Sequence, residues 1–187
     1  SVVQKRYALN LTFTNSPSFV TEMADRIRSA NLEAFRWHVA GDLYSPEYAG
    51  KVLAVMRAVP GTKMFIYTRT WRAPRMVPII AEMAALPNVQ VWLSCDRDTG
   101  EPVPVPLARR AYMQVADDPG PPYRVDLVFR DKPVRDGSVA KRVAGAVVCP
   151  VENGTETEIT CTKCRICFTD PAVDPTRRTA GRFAEAA

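Results

Sequence analysis

Three cysteines at two-residue spacing, Cys161, Cys164 and Cys167, follow an isolated Cys149-Pro150 pair in the last quarter of the chain. A [4Fe-4S] cubane takes one thiolate per iron, and a C-x-x-C-x-x-C run lets one tight loop supply three while a distant Cys-Pro supplies the fourth. Tetrahedral Zn2+ is the rival, because the same four thiolates satisfy an all-sulfur site. Structural zinc usually takes two separate C-x-x-C knuckles, and a first pair is missing here. Disulfides fit poorly: five cysteines leave one over, and the sequence shows no signal-peptide pattern and no transmembrane run. These features together predict a reducing compartment, the cytoplasm, with no membrane partner.

The fifth thiol, Cys95, lies far from the others in sequence. A fifth ligand or a nucleophile is conceivable there, but a buried free cysteine behaving as a small hydrophobe is the plainer reading.

Such a site needs a scaffold, and 187 residues at 47% hydrophobic content can bury one substantial core. The expected division is a βα-repeat domain over 1–148, a metal-binding lobe over 149–168 packed on it, and a tail over 169–187. The formal net charge of +5 falls to roughly +3 once four thiolates surround a cluster or a zinc ion. Lysines and arginines are spread along the chain, so nucleic acid is only weakly indicated as a partner.

Strand patterns occur at 34–39, 63–68, 89–94, 125–129 and 145–148, the last delivering Cys149. Helices are expected over 18–29, from Ser45-Pro46 onward, over about 74–86, and as a short segment over 105–114. Alternation at this spacing predicts an α/β fold: a partial (β/α) barrel or open parallel sheet with a small C-terminal cysteine-rich metal lobe.

In parallel sheets, chemistry gathers where the loops converge beyond the carboxyl ends of the strands. His38, the only histidine, and Asp42 follow the first strand; Arg69 and Arg72 flank Trp71 after the second; Asp96 ends the third and Arg130 the fourth. A lone histidine is more often a hydrogen-bonded structural residue than a catalyst. Two arginines around an indole suit a carboxylate, phosphate or stacked base, or simply close the rim. His38, Asp42, Arg69, Arg72, Asp96 and Arg130 are the candidates for one polar cleft. Asp42 and Asp96 as an acid–base pair would be a generic match, no nucleophile spacing supports a hydrolase, and no glycine-rich phosphate loop is present.

The runs Phe35-Arg36-Trp37-His38-Val39-Ala40-Gly41-Asp42, Tyr67-Thr68-Arg69-Thr70-Trp71-Arg72, Asn88 to Arg97 and Asp126 to Arg130, with the Cys149 to Phe168 tail, resemble the phage and mobile-element gene product 88 domain family over about residues 1–168. The family is similar in outline to radical S-adenosylmethionine enzymes, which build a partial barrel around a [4Fe-4S] cluster. This resemblance implies the cytoplasm of a host cell and a redox or radical-type role with an electron donor or small anionic ligand. The radical enzymes use an N-terminal cysteine triple with one iron open, whereas no cysteine precedes Cys95 here. A cluster held by all four C-terminal thiolates would instead transfer electrons or brace the fold. Alternatively the triple alone holds an open cluster with Cys149 remote. A non-enzymatic, metal-stabilised module binding nucleic acid or a host protein stands as the second class of function.

Overall fold

The computed structural model of the chain describes residues 2–115, 117–131, 145–153 and 159–169. The expected tail, past Thr169, lies outside the described residues. The elements are α1 (Val2–Asn15), α2 (Phe19–Ser29), β1 (Ala34–Trp37), α3 (Pro46–Ala58), β2 (Lys63–Thr68), two 3-10 turns (Thr70–Arg72 and Pro74–Met76), α4 (Val77–Ala84), β3 (Val89–Asp96), β4 (Arg109–Gln114), β5 (Leu127–Arg130), β6 (Val147–Val148) and two one-turn helices, α5 (Pro150–Asn153) and α6 (Cys161–Cys164).

All six strands form one parallel sheet in the order β1-β2-β3-β4-β5-β6. The register climbs across it: Ala34 pairs with Lys63 and Met64 with Val89, but Trp92 pairs with Arg109 and Ala111 with Leu127. Going from β2 to β5, each strand therefore begins nearer the carboxyl end of the one before, whereas β2 starts level with β1 and β6 level with β5. An α/β sheet flanked by helices is thus the architecture.

Period-two alternation sends the side chains of each strand to two different covers. On one face Met64, Ile66, Val91, Leu93 and Val128 meet Val52 and Met56 of α3 and Ile80 and Met83 of α4. Met56, Met64, Ile66, Ile80 and Met83 are fully buried there. Each such side chain contributes about 1.5–3 kcal/mol relative to exposure, which makes this layer the main source of stability. On the other face Trp92, Ala111 and Leu127 pack with Tyr67, Phe129 and Val147, and the cover is the cysteine segment itself, through Cys149, Ile166 and Cys167.

Local signals place the helices of the first layer. Ser45 caps α3 by accepting the Tyr48 amide at 3.2 Å, and Pro46 occupies the first helical turn, where no amide partner is needed. α2 starts after Ser16-Pro17 and buries Phe19, Ala24 and Ile27.

Three expectations change. The segment over 105–114 is a strand, not a helix: Leu107 turns the chain at φ +65° and Arg109–Gln114 enters the slot between β3 and β5. Its backbone groups find partners on both sides there, which outweighs a weak local helical pattern. β1 stops at Trp37, because His38 adopts φ +52° and Val39 is thrown out to 82% exposure. Finally, α1 forms where no element was expected. Its Phe13 ring meets Phe19 at 5.2 Å, but residues 4–12 are exposed, Tyr7, Leu9 and Leu11 included. Among the described residues no helix is long and apolar enough to cross a membrane.

Candidate functional site

The strand-end candidates form a connected chain only in part. Asp42 accepts the Leu43 amide and the Thr68 hydroxyl on Oδ1 and the Arg69 amide on Oδ2, each at 2.7 Å. Arg69 reaches on to Asp96 with Nη2 to Oδ2 at 2.7 Å. Asp96 also accepts the amides of Asp98 and Thr99. Burial works against ionisation of Asp96, but the Thr99 amide, Arg69 and the Asp98 amide outweigh it and lower its pKa. Both carboxylates are thereby committed to tying the β1, β2 and β3 loops together.

His38 donates to or accepts from Tyr48 Oη at 2.8 Å through Nε2, while its buried Nδ1 has no hydrogen-bond partner among the described residues. Burial lowers the imidazole pKa and the Asp42 charge opposes this only partly, so the ring is neutral at pH 7. Arg72 lies beyond this chain, lining a shallow, largely apolar hollow with Trp71, Pro74, Val77 and Val103. Trp71 itself is buried and donates to the Ser94 carbonyl at 2.9 Å, so it is a fastener and not an open stacking plane. Arg130 is 8% exposed at the end of β5, level with buried Gln114, and burial lowers its pKa. With one strand between β3 and β5, Arg130 stands about 10 Å across the sheet from the Asp96 strand. The six candidates therefore do not make a single ring: Asp42, Arg69 and Asp96 are linked, His38 adjoins them, and Arg72 and Arg130 face other surroundings.

The cysteine segment is built differently. Cys149 leaves β6 with its amide bonded to the Val128 carbonyl at 2.8 Å and is 7% exposed. Thr160 caps α6 through the Lys163 amide, and Arg165 takes the left-handed conformation at φ +62°, its amide closing on the Cys161 carbonyl at 2.8 Å. One helical turn thus sets Cys161 and Cys164 at i, i+3 on one side, and the reversal at Arg165 brings Cys167 back towards them.

Cys167 is held at two points. Tyr67 donates its hydroxyl to Cys167 Sγ at 2.9 Å, and Trp92 donates Nε1 to the Cys167 carbonyl at 2.8 Å. Arg109 bonds the neighbouring Ile166 carbonyl at 3.4 Å and lies 4.1 Å over the Trp92 ring. Arg36 lies 5.3 Å over Tyr67, which stacks on Trp92 at 5.8 Å. Phe168 packs on Phe65, and Arg165 pairs with Glu33 at 2.6 Å. Burial pushes the Cys167 thiol up to about 11; the Tyr67 hydrogen bond opposes this, and the negative charges of Cys149, Cys164 and Cys161 add to it. Cys95 stands apart on the helix-covered face, fully buried, its thiol bonded to the Ala111 carbonyl at 3.4 Å and likewise pushed up to about 11 by burial.

None of the four C-terminal cysteines forms a disulfide; Cys149 is buried, Cys161 exposed, and Cys164 and Cys167 half-buried. As they stand, no three His, Cys, Asp or Glu side chains among the described residues are grouped to hold a metal ion. The donor set nevertheless fits a thiophilic centre: four sulfurs, a hydroxyl donor to one of them, and two guanidiniums over the adjoining rings. Ligation of one ion would require the sulfurs to converge from these positions.

The family model for gene product 88 matches residues 1–170. The chain belongs to that family. No curated protein and no solved structure matches it. The gene product 88 match spans every strand and both one-turn helices, so the sheet and its cysteine cover lie within the family domain.

Tyr67, Trp92, Arg36 and Arg109 are the participants that sequence reasoning missed. Their signal was present: Phe65 and Tyr67 alternate with Met64 and Ile66, and Trp92 alternates with Val91 and Leu93. A strand with large side chains on both faces needs two covers, and among the described residues the cysteine segment supplies part of the second.

Proposed function

We propose that this gene product 88 domain carries a thiolate-ligated metal centre on Cys149, Cys161, Cys164 and Cys167, a [4Fe-4S] cluster in preference to Zn2+, and acts as an iron-sulfur protein in electron transfer. The observation that carries the reading is that Cys149 and Cys167 pack in one cluster on the same face of the sheet, with Cys161 and Cys164 on the helical turn that leads into Cys167. A centre of this kind supplies a one-electron redox couple when bound. The protein's own part is to exclude water from Cys149 and Cys167 by aromatic packing, to fix the loop through Trp92 and Arg109, and to offset thiolate charge with nearby guanidiniums. Ligation by four thiolates leaves no open iron, which favours electron transfer over radical chemistry on S-adenosylmethionine. The register that climbs from β2 to β5 supports reading the sheet as a partial (β/α) barrel, since closure requires such a stagger.

The test is anaerobic purification with iron, sulfide and zinc measured on the sample that gives the visible spectrum. About four iron and four sulfide per chain with broad brown absorption is the expected result. Stoichiometric zinc in a colourless protein would overturn the redox reading and leave the lobe as a structural clamp.

A further inference from the structure

We infer that the hollow formed by the segments following β2 and β3 is a binding site for a small organic monocarboxylate with an apolar body. Its described lining is Trp71, Arg72, Pro74, Val77 and Val103, around about 530 Å3. Small-molecule sites typically enclose roughly 300–1,000 Å3. Four of the five side chains are apolar, and Trp71 has already committed its Nε1–H to the Ser94 carbonyl at 2.9 Å. The Arg72 guanidinium is therefore the one side-chain donor that the described lining offers a ligand.

The chemical class follows from that guanidinium. Of the three arginines after β2, Arg69 pairs with Asp96 at 2.7 Å and Arg75 acts on Glu47, whereas Arg72 is exposed and has no carboxylate partner among the described residues. A guanidinium is a planar fork that grips a carboxylate through two parallel hydrogen bonds. One positive charge matches a monoanion. A phosphate dianion would leave a charge facing apolar walls, at a desolvation cost. The walls are set before a ligand arrives: Trp71 is fastened, Pro74 opens the second 3-10 turn, and Pro102 and Pro104 restrict the chain on either side of Val103. Binding then costs little ordering entropy. The segments that form the hollow also leave the carboxyl ends of their strands, which is where open parallel sheets take ligands. Trp71 and Val77 pack with the helix-covered core, while the cysteine segment covers the other face, so this site and the metal reading stand or fall separately.

The experiment titrates the full chain as purified with octanoate, octan-1-ol and inorganic phosphate, reading affinity by calorimetry and position by methyl NMR. Octanoate should bind one site per chain with a dissociation constant on the order of 1 mM or below. It should move the Val77 and Val103 methyl signals and leave those of buried Val52 in place. Octan-1-ol should bind roughly tenfold more weakly, for want of the charge-assisted bond, and phosphate should not compete with octanoate. Arg72→Gln should weaken octanoate by roughly tenfold, to the level of the alcohol, and Val103→Asp, which brings a carboxylate into the same hollow, should abolish its binding. Both positions are exposed, so the unfolding temperature should stay near that of the parent. Octanoate that binds no tighter than the alcohol, or equally well to Arg72→Gln, overturns the proposal, as does phosphate that displaces it. A dimer in sedimentation velocity that Val103→Asp dissociates would assign the hollow to a second copy of the chain and overturn it as well.

Discussion

At the scale of single residues, His38 shows how a strand-end position becomes a pH-sensitive support. Its backbone sits at φ +52°, an uncommon conformation for a non-glycine residue, and its ring is wedged against Tyr48 and Trp37. Burial lowers its pKa from the ordinary 6.5, with Asp42 opposing. A base with a depressed folded pKa adds stability that is fully present above about 6.5 and is lost as pH falls through its folded value, because the unfolded chain takes up the proton first. Urea denaturation of the parent from pH 7.5 to pH 5 should therefore show stability falling below pH 6.5, and His38→Gln should flatten that slope. An unchanged slope would mean that other groups titrate there. Asp42 and Asp96, by contrast, have their oxygens occupied by loop amides, Thr68 and Arg69, which suits bracing better than proton transfer.

The elements differ sharply in how much each contributes. α4 presents Ile80 and Met83, both fully buried, to the sheet, whereas α1 leaves Leu9 69% exposed and Leu11 50% exposed. Thermal or chemical unfolding should place Ile80→Ala about 2–5 kcal/mol below the parent through lost transfer and a residual cavity. Leu9→Lys should stay within about 0.5 kcal/mol. A large loss from Leu9→Lys would show that α1 is covered in solution. β4 makes a related point about elements. Arg109 and Ala111 face the cysteine segment while Tyr112 faces the main core, so this strand joins the two layers.

For the molecule as a whole, the two faces of the sheet are stabilised by different means. The helix-covered face owes its cohesion to apolar burial, and the other face to a short segment tied down by Trp92, Arg109, Phe65 and Glu33. Extracting the metal from the loaded protein should consequently open the lobe before the sheet. Far-ultraviolet circular dichroism should be retained while trypsin gains access at Lys163 and Arg165. Loss of sheet signal in step with metal loss would show instead that the lobe and the main core fold as one unit.

The amino-acid order by itself determined the apolar runs of β1, β2, β3 and β5, the capped start of α3, and the two-residue spacing of Cys161, Cys164 and Cys167. These are local properties: side-chain periodicity, a Ser-Pro helix start and the reach of one loop. The tertiary structure decided the rest. It turned 109–114 into a strand because a parallel slot between β3 and β5 satisfied its backbone on both edges. It also split the polar strand-end residues, linking Asp42 to Arg69 and Asp96 while sending Arg72 and Arg130 elsewhere. Above all it set Tyr67 and Trp92 beneath Cys167, from which they are 100 and 75 residues away in sequence. No local pattern encodes such contacts, because they arise only when the C-terminal segment returns to pack on the second face of the sheet.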